Sequence, residues 1–379
     1  MEEAQKCDDN MKKIKIYSFF SGCGLLDLGM EKAGFDIVMV SEKYLPFLNA
    51  YKYSRKKMKM EEPEHGYFND DIADYLQSDS VLEKFVKKDS KDNIIGFIGG
   101  PPCPDFSTAG KNKGVNGDNG KLTKTYFDLI SKMKPDFFVF ENVKGLWKTK
   151  KHREFYDKMY RKMKRRGYYI IDKLVNSLEY GVPQERERVI MIGIKCTGKA
   201  EKEKIQKLVQ NFNWGVSKYN SLEVIKNMEW PTTDVFNENE IKMEPEGIDK
   251  ELTIQYWFEK NCVEQHANAN DFFKPKAGLN RMQTIDEGDV SRKSYKRLHR
   301  WRYSPTAAYG NNEVHLHPYK ARRLSVAEVL AIQSVPKEFE LPKEMSLTDM
   351  FKTVGNGVPV LMAEKIAVEL NKLLKAYFM

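Results

Sequence analysis

The sequence predicts an α/β fold: a doubly wound parallel sheet with helices on both faces, interrupted by a smaller inserted domain. Three observations predict it. Short apolar runs alternate with helix-spaced segments through the first half of the chain, the pattern of strands joined by crossover helices. That alternation stops after about residue 198. Helix patterning returns at Ser325–Gln333 and Pro359–Tyr377, so the chain comes back to finish the large domain. A length of 379 residues exceeds one average domain and accommodates both parts. The expected division is 12–200 plus 320–379 for the large domain and 201–319 for the insert.

Taken in order, Lys13–Phe20 (KIKIYSFF) reads as a buried strand. Leu25–Ala33 has helical spacing and stops at Gly34, a residue that commonly ends helices. Asp36–Val40 is the next strand, with a helical stretch from Pro46. Ile94–Ile98 is a third strand and runs into Gly99-Gly100-Pro101-Pro102. Asp136–Phe140 is a fourth and ends at Glu141. Tyr168–Val175 and Val189–Ile194 complete the set. In such sheets ligands bind beyond the carboxyl ends of the strands. Ser21, Glu42, Cys103 and Glu141 all fall there.

Composition narrows the setting. Hydrophobic residues make up 41% of the chain, ordinary for a protein with a packed core. The net charge of +9 suits a polyanionic partner and equally a soluble basic protein with no such partner. The five cysteines are far apart and show no CxxC spacing, which argues against a disulfide framework, against a structural zinc site, and for a reducing intracellular compartment. No stretch has the length of a membrane span, and the N-terminal segment MEEAQKCDDNMKK lacks an apolar signal core. The six histidines show no metal-ligand spacing, and His315-Leu316-His317 reads as strand alternation.

Two loops carry candidate chemistry. Phe19–Gly24 (FFSGCG) follows the first strand and opens a helix, and its glycines allow a sharp turn and close approach to a ligand. Glu42, just past the second strand, stands where an acidic residue takes a ribose hydroxyl; Asp71-Ile72 is placed to meet an adenine amino group. Read alone, both acids fit solvated loop positions equally well. The second loop, GGPPCPDFS, is more specific. Its prolines stiffen the backbone and position the Cys103 thiol. A thiolate is the nucleophile, and its attack is aided when a carboxylic acid polarises the target ring. Glu141, at the end of a neighbouring apolar strand, supplies one whose pKa burial would raise. The run Gln184–Arg188 (QERER) adds guanidinium groups able to hold a base carbonyl or phosphate, or to pair with Glu185 and Glu187.

The ordered set FFSGCG, GGPPCPDFS, ENVKG, YGVPQERERVIMIG, ARRLSVAEVLAIQSVP and KTVGNGVPVLMAEKIA resembles the DNA (cytosine-5-)-methyltransferases of the prokaryotic restriction-modification type. It spans residues 17–370 except for about 200–300. The resemblance implies a doubly wound, Rossmann-like S-adenosylmethionine-dependent domain with a small inserted target-recognition domain. It implies that Cys103 adds to C6 of a cytosine flipped out of double-stranded DNA, that Glu141 contacts N3 and the exocyclic amine, and that Arg188 and Arg186 contact the base and position Cys103. The cofactor would rest on Phe20, Ser21, Gly22, Cys23, Gly24, Leu25 and Lys43, with Glu42 at the ribose and Asp71 and Ile72 at the adenine. Gly100, Pro102, Asn356, Gly357 and Val358 would complete its pocket. The family usually has Gln after the nucleophile and a small residue next; this chain has Pro104 and Asp105. Cys23 occupies a glycine position and reads as a small packed residue. No metal is implied. The setting implied is a cytoplasmic monomer, nucleoid-associated through DNA, with a cognate endonuclease acting separately.

For DNA contact, Ser291–Arg302 (SRKSYKRLHRWR) interleaves basic side chains with Tyr295 and Trp301. Arg292, Lys293, Lys296, Arg297 and Arg300 are the candidates there, with Gln184 and Ser107 near the base. Lys148–Arg153 and Arg161–Arg166 are further basic clusters, the second equally a solvated helix face. The alternatives are a tRNA cytosine-5 methyltransferase of the same architecture, whose usual Cys-Phe-Thr segment is missing here, and a catalytically inactive DNA-binding relative.

Overall fold

The computed structural model describes residues 12–102, 118–216, 221–275, 278–306 and 314–379. Seven strands form one sheet: β1 (Ile14–Phe19), β2 (Asp36–Ser41), β3 (Tyr67–Phe68), β4 (Ile94–Gly99), β5 (Phe137–Val143), β6 (Tyr168–Asn176) and β7 (Glu187–Lys195). Their order is β3-β2-β1-β4-β5-β7-β6. The central strands are apolar on both sides. In β1, Ile14 and Ile16 enter one core while Tyr17 and Phe19 enter the other; in β5, Phe137 and Val139 oppose Phe138 and Phe140. That double burial is why these segments read as continuous apolar runs.

The expectation of a wholly parallel sheet needs one correction. β7 runs antiparallel to both neighbours, β5 and β6, while the other pairings are parallel. The reason is the connection. Residues 177–186 hold only a 3₁₀ turn, Ser177–Tyr180, closed by a capping box between Asn176 and Glu179. A parallel return needs a crossover of a dozen or more residues, so this link can only fold back as a hairpin.

The helices α1 (Leu25–Lys32), α2 (Leu45–Lys57), α3 (Val81–Asp89), α4 (Asp118–Met133), α5 (Lys144–Lys148), α6 (Lys150–Arg165) and α7 (Lys199–Val209) fill in the two layers. Residues of α1, α2 and α7 share one core with the sheet, joined by the long C-terminal helix; α3, α4 and α6 contribute to the opposite core. Further along come α8 (Leu222–Lys226), α9 (Ile254–Lys260), α10 (Leu279–Gln283), the short strands β8 (Lys296–Arg297) and β9 (His315–Leu316), then α11 (Val326–Ile332), α12 (Leu347–Asn356) and α13 (Val360–Phe378). Ser325 caps α11 through a capping box with Glu328.

A third core joins Leu25 and Leu28 of α1 to Trp257 and Phe258 of α9, Leu298, Val329 of α11 and Phe351 of α12. Residues from 254 to 298, in the segment without shared motifs, therefore share a core with the helix that follows the glycine loop. Buried charges stiffen this region. Glu328 is almost wholly buried and receives both guanidinium nitrogens of Arg322, at 2.9 and 2.7 Å. Burial opposes its charge, but His317 and Arg322 overcome that and hold the carboxyl well below the usual range. No helix among the described residues is long and apolar enough to cross a membrane.

The packing of α1 on α13 depends on a missing side chain. A Cβ on Gly29 would lie 2.4 Å from the Ala363 Cβ and 2.7 Å from the Glu364 backbone nitrogen, on a neighbouring helix that cannot yield locally. Gly29→Ala should destabilise the protein by about 1–3 kcal/mol, the usual cost of overpacking. Urea denaturation followed by circular dichroism checks this; an unchanged midpoint would refute the close approach.

Candidate active site

The carboxyl ends of β1, β2, β4 and β5 gather the candidate residues on one edge of the sheet. β7 joins them by its beginning, because it is reversed. Arg188 is paired with Val143, and Ile190 with Glu141, across the β5–β7 ladder. In a parallel arrangement the same arginine would have started at the opposite edge.

Glu141 is 7% exposed, and its Oε1 lies 2.9 Å from Nε of Arg188. Burial pushes its carboxyl upward, while Arg188 and Arg186 pull it back without restoring the ordinary value. Gly100 stands directly beside it: a Cβ there would sit 2.7 Å from Glu141 Oε2. The next residue of β5, Asn142, donates its side-chain amide to the Pro101 carbonyl at 3.3 Å, tying the proline loop to the same strand. Cys103 and Ser107 lie outside the described residues.

The acids of the QERER run are paired with lysines. Glu185 is taken by Lys226 at 2.6 Å, and Glu187 by Lys144. Arg188 instead meets Glu141. Arg186 is buried, 1% exposed, and its Nη2 donates to the carbonyls of Gly355 and Gly357 at 2.7 and 2.9 Å. It thus brackets Asn356, whose side chain is left exposed at the end of α12. Sequence reasoning placed Arg186 at the base; in the structure its recorded hydrogen bonds go to this turn.

On the other side of β1, Phe20 has φ +54°, a conformation unusual for a bulky residue and one that persists at ligand sites when the surroundings enforce it. Its ring is partly open and meets Tyr126 edge-on. Glu42 accepts the Gly22 amide at 2.9 Å and the Tyr44 amide at 2.8 Å, so it bridges the glycine loop to the start of α2. Burial raises its carboxyl, and these amides oppose that. Asp71 caps the turn at Ala73 and pairs with Lys43 at 2.6 Å, and Lys43 holds its carboxyl below the usual range. Ile72 is buried behind it. Cys23 is 2% exposed and packs with Leu25 and Leu28; burial pushes its thiol up to about 11, so it stays protonated as a packed side chain. Gly357 abuts Leu25, and Val358 is buried. One contact near this pocket carried no sequence signal: Tyr44 donates to Asp349 of α12 at 3.1 Å.

A family model for C-5 cytosine-specific DNA methylases matches residues 14–372. The chain belongs to that family. It is 54% identical over 372 residues, 97% of its length, to the type II methyltransferase M.NmeDI of Neisseria meningitidis serogroup C, covering 86% of that protein. It is 29% identical to the type II methyltransferase M.FnuDI of Fusobacterium nucleatum, over 95% of both chains. Among solved structures, a prophage-encoded DNA modification methyltransferase of E. coli superposes with a TM-score of 0.66 at 23% identity, covering 96% of this chain and all of that one. The last likeness establishes the fold alone, a Rossmann-like α/β methyltransferase sheet.

Several expected DNA contacts of this methylase are corrected. Arg297 is fully buried and donates to four backbone carbonyls, those of Ile285, His317, Lys320 and Met282, beneath the Phe236 ring. Arg300 is 4% exposed and forks onto both oxygens of Glu287 at 2.8 and 2.9 Å. Both bind the protein to itself and leave no guanidinium for phosphate. Gln184 is wholly buried, because its loop is clamped by Ser304, whose amide donates to Pro183 at 2.9 Å and whose carbonyl accepts from Glu185 at 2.8 Å. Arg292 and Lys293 are exposed and Lys296 partly so. The Arg161–Arg166 cluster is also misplaced for the candidate edge. α6 starts there and runs 16 residues away from it, about 24 Å, to the opposite end of the sheet. The Lys148–Arg153 cluster stays at the near end.

Gly100→Ala should misplace the Glu141 carboxylate while leaving the fold intact, since the obstructing atom is one side-chain oxygen. A fall in turnover of about 100-fold is expected from a displacement of this size. Methyl incorporation into DNA measures it; full activity would show that Gly100 is not needed for the carboxylate's position.

Proposed function

We propose that this methylase transfers a methyl group from S-adenosylmethionine to C5 of a cytosine flipped out of double-stranded DNA at a specific sequence, through a covalent Cys103–C6 adduct. The observation that carries the reading is the buried Glu141–Arg188 pair at 2.9 Å, with side-chain-free Gly100 and the Pro101–Pro102 loop leading from it directly into Cys103. A target base must leave the stack, because its ring faces are covered inside a duplex.

The residues of the cofactor edge fit S-adenosylmethionine. Glu42, anchored by two amides, offers carboxylate oxygens for ribose hydroxyls, and the half-open Phe20 ring offers a face for adenine. Ser21, Gly22, Gly24 and Leu25 would form the floor, with Lys43, Asp71 and Ile72 at the adenine end. Pro102 and the Asn356–Val358 turn would close the methionine side. When bound, the cofactor supplies an electrophilic methyl group.

The chain's own residues then act on the base. The Cys103 thiolate forms a bond to C6, and the displaced electron pair moves toward N3. In its protonated form, which burial favours, Glu141 donates to N3. Arg188 holds the carboxyl in place and is the arginine proposed to contact the base. The enamine carbon C5 is now nucleophilic and becomes methylated. A base then removes the C5 proton, the electron pair it leaves expels the Cys103 thiolate, and N3 returns its proton to Glu141, which restores the ring. Arg186 acts as a positioning residue by fixing the Asn356 turn. Residues 201–319 are proposed as the target-recognition domain, inserted in a catalytic domain of 12–200 and 320–379. The relatives' designation as type II methyltransferases supports a role as the protecting partner of a separately acting endonuclease; a monomer acting on nucleoid DNA in the cytoplasm is the setting proposed for it.

A duplex carrying 5-fluorocytosine at the target should trap the protein covalently, since fluorine cannot be eliminated. Denaturing electrophoresis should show a shifted band that Cys103→Ala lacks; a band retained by that variant would overturn the nucleophile assignment. Arg186→Lys, which cannot span both Gly355 and Gly357, should weaken S-adenosylmethionine binding by about 10-fold or more, the worth of a charged hydrogen bond. Calorimetric titration checks this; unchanged affinity with reduced turnover would instead place Arg186 at the base.

A further inference from the structure

The corrections above leave few cations available between Gly278 and Arg302. Arg297 and Arg300 are consumed internally. Arg292 stands 3.8 Å from Asp289, and Lys293 is a flexible point charge. Arg302 sits in a small pocket beside Glu185, its guanidinium 5.5 Å from the Tyr303 ring centre. Arg281 differs from all of these. It lies exposed on α10, its guanidinium carbon 4.4 Å from the centre of the Tyr295 ring, and among the described residues no carboxylate pairs with it.

Tyr295 is a fixed platform. Its φ is +60°, where a bulky side chain persists only if its surroundings enforce it. The surroundings do so. Its ring packs on Met282, Ile285, Val314 and Leu316, and its hydroxyl passes so near Gly278 that a Cβ there would lie 3.1 Å away. The residues immediately following, Lys296 and Arg297, are locked by pairing with His315 and Leu316 and by the four carbonyl bonds of Arg297. A guanidinium lying on such a ring has its plane set in advance and its N–H groups directed outward. That fork matches the O6 and N7 acceptors on the major-groove edge of guanine. Further along the same stretch of chain, Ser304 is pinned to Pro183 and Glu185, beside Arg186.

We infer that Arg281, stacked on Tyr295, reads a guanine of the recognition sequence through its major-groove edge. The inference rests on the proposed sequence-specific methylation of DNA. The test is bisulfite sequencing of a library of duplexes randomised around the target, treated with the wild-type protein, Arg281→Ala, Arg281→Lys, Tyr295→Ala and Tyr295→Phe. The wild type should demand guanine at a fixed position. Arg281→Ala and Arg281→Lys should each lose roughly 10- to 100-fold of the discrimination at that one position and keep it elsewhere. Tyr295→Phe should retain discrimination and Tyr295→Ala should lose much of it, since the phenyl face suffices for stacking. A uniform loss on all sequences, with a shallower salt dependence, makes Arg281 a phosphate contact and overturns the inference, as does an unchanged preference. Wild-type protein that methylates no cytosine fails the proposed function instead, so the two failures are distinguishable.

Discussion

Glu141 and Arg188 face each other at 2.9 Å across two strands that run in opposite directions. Both side chains are mostly withdrawn from water, and burying such a pair gains little stability, since desolvation offsets the attraction. The pairing is possible because β7 turns back on β6. That reversal brings the first residues of β7 to the edge where β1, β2, β4 and β5 end. Arg186, two residues earlier, consequently reaches the turn after α12. One hairpin therefore joins the candidate catalytic carboxylate, its arginine partner and the turn after α12.

The same economy of charge governs the region between α8 and α11. Secondary structure there is sparse, so little regular backbone pairing holds it. Buried ions take over that role. Arg297 gathers carbonyls from Ile285, His317, Lys320 and Met282. Arg300 forks onto Glu287, and Arg322 onto Glu328. Losing one member of such a group would strand its partner in a dry interior. The third apolar core then ties these segments to α1, next to the glycine loop. A surface built this way keeps a set distance from the edge where chemistry is proposed.

Much of this was legible in the residues. Strand positions agree to within a few residues because the strands are apolar on both faces and form unbroken runs. Glu141 shifted from a strand terminus to a position inside β5, Arg188 from before a strand to a position inside β7, and the two-residue strand β3 carried too little pattern to be foreseen. The direction of β7 was not legible from apolar pattern, which is the same for either direction; the length of the 177–186 link was the signal. Arg297 and Arg300 were misread for a similar reason. A run of basic residues looks solvated unless the distant Glu287 and the carbonyls that receive it are known. Arg281 went unnoticed because a lone arginine on a five-residue helix has no pattern.

By itself the sequence determined the local chemistry: a stiff proline loop bearing Cys103, an apolar strand delivering Glu141, glycines after β1, and the family to which such an ordered set belongs. These follow from short-range constraints on backbone conformation and burial. Tertiary structure alone decided which guanidinium groups are spent and which are available. That outcome depends on long-range pairings, Arg186 with residues near 356 and Arg297 with those near 318, whose energies arise only once water has been excluded between them.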